Sequence, residues 1–251
     1  MADQISPRPT DSADRSAPAA ELAPSGRLRA SINLGNAVLA TGTDADPGGV
    51  TVDLAREVGR RLGLPVDLLT FGAAKDSLAA MERGDADLCF LAIDPARAGT
   101  VAFTRPYVLI EGVYAVPLTS AISTAAEVDR PGVRVGVKEG SAYDLHLTRE
   151  LEHAELVRGA EGVDVFVEQG LEAGAGIREP LTAWVEGRDD VRVVEPAFMQ
   201  IRQAMGLPAI VDAEALAWLD ATLAELIASG FVADALRRTG RPGYHPGGRA
   251  D

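Results

Sequence analysis

The chain has 251 residues, with 24 Lys+Arg against 37 Asp+Glu and a formal net charge of −13. At roughly 100–200 residues per domain this length allows one large domain or two small ones, and 47% apolar residues suffice for a packed core. The acidic balance argues against a concentrated basic face for nucleic acid. A single cysteine, Cys89, excludes an intramolecular disulfide and any CxxC motif. Three scattered histidines, His146, His153 and His245, argue against a zinc site, and neither a metal nor a cofactor is expected. No apolar run approaches the ~20 residues of a membrane span.

Residues 1–21 are polar and rich in Pro, Ser, Ala and Asp, and read as a disordered tail. They show neither a positive start nor an apolar stretch of roughly 7–15 residues, so a secretory signal is not expected and the chain as written reads as cytoplasmic. Alternation over Leu28–Leu34 predicts a half-buried strand. A loop follows over 41–49; Asp44 and Asp46 there read as turn residues, since the later ligands of a calcium loop are missing. Leu54, Val58 and Leu62 lie on one helical face, and Gly63 stands where a helix-terminating glycine belongs. Val66–Leu69 predicts a strand, Lys75–Arg83 a helix stopped by Gly84, and Ala86–Ile93 a central strand buried on both faces. This alternation marks a mainly parallel sheet covered by helices.

The same grammar recurs. Strands are predicted at Val133–Val137, Glu155–Val157 and Ala173–Ile177, with helices at Ala142–Leu151 and Val163–Glu168. A helix end, a glycine and a strand repeat from Gly84 to Gly170, an offset of 170 − 84 = 86 residues. Extended segments Leu109–Pro117 and Phe198–Met205 flank the second unit. Helices over Ala213–Ala228, capped by Asp212, and Phe231–Arg238 close the chain. If that last unit packs on the first lobe, the chain crosses between lobes twice and makes a hinge. The boundaries are then 22–115 with 198–240 for lobe 1, 116–197 for lobe 2, and 241–251 as a flexible tail.

Three places suit binding chemistry. Arg97, just past the buried strand, is positioned for an anion at a strand carboxyl end, unless it simply neutralises a surface acid. Lys138–Ala142 links a strand to a helix start, where Ser141 serves as an N-cap, a polar cradle, or both. Arg178 or Glu179, after the last strand of the second unit, could meet an anion or a cation, or face solvent. Catalytic patterns fare badly: there is no GxSxG, P-loop or strand-borne GxGxxG. His146 and His153 read as a solvated helix face and Cys89 as inert core.

The order of elements, with LAPSGRLRASINLG, GGVTVDLAREVGRRLGLPVDL, GDADLCFLAIDPARAGTVAFTRPYV, GVRVGVKEGSAYDLHL and AMGLP, resembles the family 3 solute-binding proteins over about Leu22 to Gly240. The resemblance implies an α/β, two-lobed clamp of the type 2 periplasmic-binding-protein kind. Each lobe would be a mainly parallel sheet flanked by helices, with two hinge crossings. It also implies a small carboxylate or amino acid as ligand, an ABC transporter permease as partner, a monomer, and a periplasmic setting that conflicts with the N-terminus as read above. In that family an arginine six residues before an Ala-Phe pair anchors the ligand carboxylate; here counting from Ala102-Phe103 lands near Arg97. Backbone groups at Ala92 and the amides near Ser141 and Ala142 would complete its shell, with Asn36 and Phe90 on the lobe 1 wall.

Two departures matter. Ile177 and Arg178, with Glu179 just beyond, stand where the family places an acid for the ligand α-ammonium, and Val38-Leu39-Ala40 replaces its aromatic platform. The reading is therefore a non-catalytic binding protein for a small carboxylate, one without a free amino group being among the candidates. The alternatives are a cytoplasmic dehydratase of cyclic carboxylates such as prephenate or arogenate, with Glu179 or Glu139 as acid, and a stand-alone ligand sensor.

Overall fold

The computed structural model describes residues 16–241, 244–245 and 248–249. The chain opens with helix α1 (Ser16–Leu22) and strand β1 (Leu28–Asn33), followed by a small hairpin of β2 (Thr41–Gly42) and β3 (Pro47–Gly48) within the expected loop. Next come α2 (Val50–Leu62), β4 (Val66–Phe71), α3 (Ala74–Glu82) and β5 (Leu88–Ala92), a 3-10 turn at Pro95–Arg97, and the long strand β6 (Val101–Pro117). After a second 3-10 turn at Ala125–Glu127, the chain forms β7 (Arg134–Lys138), α4 (Ala142–Glu150), β8 (Glu155–Gly159), α5 (Gly162–Glu168), β9 (Ala173–Ile177) and α6 (Arg178–Glu186). It ends with β10 (Val191–Pro208), α7 (Ala213–Ala228), α8 (Phe231–Arg238), β11 (Tyr244–His245) and β12 (Gly248–Arg249).

Local chemistry accounts for these elements. In α2 the buried face is Leu54, Val58 and Leu62, and Gly63 terminates the helix at φ 70°, a left-handed conformation that glycine adopts without a Cβ clash. Every residue of β5 is buried because its edges are taken by parallel β1 and antiparallel β10 and both its faces are covered, Leu88, Phe90 and Ala92 packing in one cluster and Cys89 and Leu91 in another. Gly84 and Gly170 both take positive φ after α3 and α5, so the 86-residue repeat of helix, glycine and strand is structural. Asp212 occupies the N-cap of α7, but its carboxylate makes no capping bond.

The main sheet has eight strands in the order β4-β1-β5-β10-β6-β9-β7-β8. Its two ends are parallel: β4-β1-β5 and β9-β7-β8. Between them β6 and β10 pair antiparallel along most of their length, from Val101↔Pro208 to Pro117↔Val191. Strand β10 binds β5 through Gln203–Gly206, whereas β6 binds β9 through Gly112–Ala115. Each long strand therefore belongs to both halves of the molecule. Of the two extended segments read from sequence, Leu109–Pro117 is the second half of the 17-residue β6 and Phe198–Met205 lies within the 18-residue β10.

Both tails depart from expectation. Residues 1–15 lie outside the described set, but 16–22 form α1, and Leu22 is buried in the main core with Leu219 and Leu223 of α7. An Ala- and Leu-bearing segment next to an apolar helix gains more by docking than it loses in chain entropy. At the other end, Tyr244 and His245 pair with Gly248 and Arg249, and Tyr244 is buried in the same core; the remaining residues of 242–251 lie outside the described set.

The second half packs most tightly where α5 meets the sheet. A Cβ on Gly162 would lie 2.8 Å from the Ala175 carbonyl oxygen, 3.0 Å from that of Gly136 and 3.1 Å from Val137 Cα. These are backbone atoms that cannot swing aside. Gly162→Ala is expected to destabilise the protein by about 1–3 kcal/mol, seen as a lower urea midpoint at unchanged slope.

Candidate functional site

Two strands of each parallel half-sheet, β1 and β5 in one and β7 and β9 in the other, end at Asn33, Ala92, Lys138 and Ile177, and all four residues line one cavity of about 310 Å³ between the two halves. Strand carboxyl ends are where open α/β sheets place their ligands. Asn36, Phe90, Ala92 and Arg97 reach the cavity from the first half, and Ser141 and Ala142 from the second. Phe90 and Ala92 share a face because they are two apart on β5, and Phe90 is held edge-on by Tyr107, centroids 6.2 Å apart. The Asn36 side-chain oxygen accepts from the Val38 amide at 3.3 Å, tightening the turn after β1.

Arg97 is the electrostatic centre of the cavity. It is 1% exposed. Its Nη1 donates to the Ala92 carbonyl at 3.0 Å and its Nη2 to the Gly140 carbonyl, on the opposite half, at 3.1 Å. Its Nε is buried and has no hydrogen-bond acceptor, and among the described residues no carboxylate forms a salt bridge with it. Burial pulls its pKa below the ordinary arginine value, opposed by the field of Asp94; arginine nonetheless remains charged in proteins. A desolvated cation held only by carbonyl dipoles is able to take an anion as its counter-charge.

Ser141 is the N-cap of α4, its hydroxyl accepting from the Asp144 amide at 3.1 Å. Its own amide donates to the Lys138 carbonyl at 3.1 Å. The expectation that the amides near Ser141 complete an anion shell thus narrows to Ala142 and Tyr143, whose N–H groups open the helix without intrahelical acceptors. Both residues line the cavity.

Two ion pairs also bridge the halves beside this cavity. Arg149 of α4 grips Asp94 through Nη1–Oδ1 at 3.1 Å and Nη2–Oδ2 at 2.8 Å, while Asp94 Oδ1 also accepts from the Ala96 amide and so braces the turn that carries Arg97. Lys75 of α3 pairs with Glu139. A third pair, Lys138 with Glu161, lies within the second half.

Arg178 and Glu179 do not join this cavity. Arg178 donates to Glu111 of β6 and to Glu195 of β10, the latter also through Nη2–Oε2 at 2.8 Å, and its pKa is raised chiefly by the Glu195 hydrogen bonds. Glu179 lies beside it on a separate cleft that Glu186 and Arg241 also line. Helical geometry separates the two sets. Ile177, Pro180, Leu181 and Trp184, at i, i+3, i+4 and i+7, face the cavity, whereas Arg178, Glu179, Thr182, Ala183 and Glu186 face the other cleft. The apolar spacing from 177 to 184 is the signal in the sequence that finds this wall.

The remaining candidates are structural. His153 lies beyond the end of α4, so the two histidines do not share a helix; His146 is half-buried and stacks on Phe198 with centroids 6.1 Å apart, and desolvation lowers its pKa. Cys89 is buried, which pushes its thiol up to about 12. Among the described residues no group of His, Cys, Asp and Glu is arranged to hold a metal ion, and no single helix is long and apolar enough to cross a membrane.

An α/β clamp whose halves share two long strands, with a cationic cavity at the strand ends between them, defines the class of two-lobed solute-binding proteins. The chain belongs to the bacterial extracellular solute-binding proteins, family 3, whose model matches residues 38–239. No curated protein matches it in sequence. Among solved structures, a mutant of ArgBP from T. maritima is 20% identical at TM-score 0.72, covering 89% of this chain and 99% of its own. A putative binding component of an ABC transporter from Wolinella succinogenes, complexed with lysine, is 17% identical at TM-score 0.71, covering 85% and 95%. An ancestral amino acid-binding protein, a precursor of cyclohexadienyl dehydratase, is 20% identical at TM-score 0.70, covering 88% and 98%. These likenesses establish a shared fold.

The hydrogen bond from Lys75 holds the Glu139 carboxyl below its ordinary value. A carboxyl depressed by a contact that exists only while the halves touch favours that contact fully above its ordinary pKa. The contribution is lost as pH falls through the depressed value. The approach of the two halves is therefore expected to loosen in acid, below the ordinary carboxylate range, and Glu139→Gln should remove that part of the pH dependence. Small-angle scattering against pH checks both.

Proposed function

We propose that this protein is a binding protein whose two lobes, 22–115 with 198–240 and 116–197, close on a small carboxylate, and that it delivers the solute to an ABC-type import system. One observation carries the reading: Arg97 is buried in the cavity, with a nitrogen on a carbonyl from each half and no carboxylate in salt-bridge contact among the described residues. A ligand carboxylate supplies the missing charge through the planar, two-pronged geometry that guanidinium favours. The amides of Ala142 and Tyr143 add donors from the other lobe. Closure follows from the same chemistry, because a ligand touching both lobes favours the state in which Arg97 reaches Gly140 and Arg149 reaches Asp94. Strands β6 and β10, common to both lobes, are the connections able to flex. Membership of the family and the amino-acid ligands of its structural relatives support a polar organic solute.

A dehydratase on this scaffold needs a cavity acid that is protonated at neutral pH. Glu139 is held below its ordinary value by Lys75, and Glu179 lies on the other cleft. Neither suits that role, which favours binding over turnover.

Calorimetric titration with a panel of amino, oxo and dicarboxylic acids tests the proposal. Arg97→Ala is expected to weaken the best ligand by about 2–5 kcal/mol, as for other truncated buried charge pairs. An unchanged dissociation constant would place the anchor elsewhere.

A further inference from the structure

We infer that the ligand is a monocarboxylate with an apolar body and no ammonium group, an inference that rests on the Arg97 anchor proposed above. The cavity wall contributed by α6 and the end of β9 is Ile177, Pro180, Leu181 and Trp184, and Phe90 and Ile201 reach the same space from the other half. Trp184 is fixed there by the Phe166 ring, edge-on at 6.3 Å, and by the Arg188 guanidinium, 4.7 Å from its ring centroid. An alkyl or aryl group placed on this wall leaves water for apolar contact.

The charges around the cavity point the same way. Its lining carboxylates are Glu139 and Glu161, and each is already paired with a lysine, Lys75 and Lys138 respectively. The lining cations are Lys138, so paired, and Arg97, which has no carboxylate partner. A ligand bringing one negative charge completes this set. A ligand that also brings an ammonium has to share Glu139 or Glu161 with the lysine already bound there, settle for neutral amide oxygens such as that of Gln203, or rest against Ile177 without an acceptor, whereas no unpaired carboxylate among the lining residues waits for it. The volume of about 310 Å³ lies at the small end of organic-ligand sites, a size for one ring or one branched chain beyond the carboxylate.

The test compares acids that differ only in the ammonium. Full-length protein is titrated calorimetrically with 3-phenylpropanoate against L-phenylalanine, 4-methylpentanoate against L-leucine, and L-arginine. The expected result is that the ammonium-free member of a pair binds at least tenfold more tightly. Ile177→Asp should shrink or reverse that ratio. In a Trp218→Phe background, the fluorescence of Trp184 should change on adding 3-phenylpropanoate, a readout that needs no cavity variant to fold. If L-phenylalanine, L-leucine or L-arginine binds as well as or better than the ammonium-free acids, and Arg97→Ala abolishes that binding, this inference is overturned while the anchor stands. If none of the five binds, both fall.

Discussion

A guanidinium removed from water and denied a carboxylate is an expensive arrangement, and the structure is organised around it. Arg97 sits on a short turn that leaves β5, the most deeply buried strand of its half, and its head is held by the Ala92 carbonyl five residues back and the Gly140 carbonyl across the cleft. Carbonyl dipoles soften the desolvation of a buried cation without neutralising it. The turn itself is braced by Asp94, whose carboxylate is held by Arg149 from the opposite half, so the counter-charge nearest the anchor is already engaged. The charge at the cavity floor is thereby left without a carboxylate among the described residues.

The sheet makes this device two-sided. Two long antiparallel strands run between parallel half-sheets, and their pairing partners change from β5 on one side to β9 on the other. The halves remain linked through strands that can twist, while every lining residue at a parallel strand end keeps its place relative to its own half. The contacts that bridge the cleft beside the cavity include three polar ones: Arg97 to Gly140, Arg149 to Asp94, Lys75 to Glu139. Polar contacts of this kind are exchanged for water at small net cost, which suits surfaces that must part and meet again.

The opposite wall has a different character. The first turns of α6 turn an apolar stripe toward the cavity and a charged one toward a second cleft, where Glu111 and Glu195 neutralise Arg178. The site is therefore polarised, with positive charge at one end and hydrocarbon at the other. That polarity is what the proposed ligand, a carboxylate with an apolar body, would use.

Local pattern in the chain was enough for most of the secondary structure and for part of the site. Alternation, helical spacing and stop glycines specify β1, α2, β5, β9 and α7, because burial periodicity acts within one element. The same reasoning located Arg97 past a buried strand and Ser141 at a helix start. Residue 178 shows where it ended: an arginine beside a strand end reads as a ligand contact until topology brings in Glu111, 67 residues away, and Glu195, 17 residues away. Likewise α1 and the Tyr244 hairpin read as tails, because their partners, α7 and the main core, are separated from them along the chain or reached only after folding. Helical and strand periodicity belong to neighbouring residues and survive in one dimension. Which charges cancel, and which one is left for a ligand, depends on contacts between distant segments, and only the folded sheet decides them.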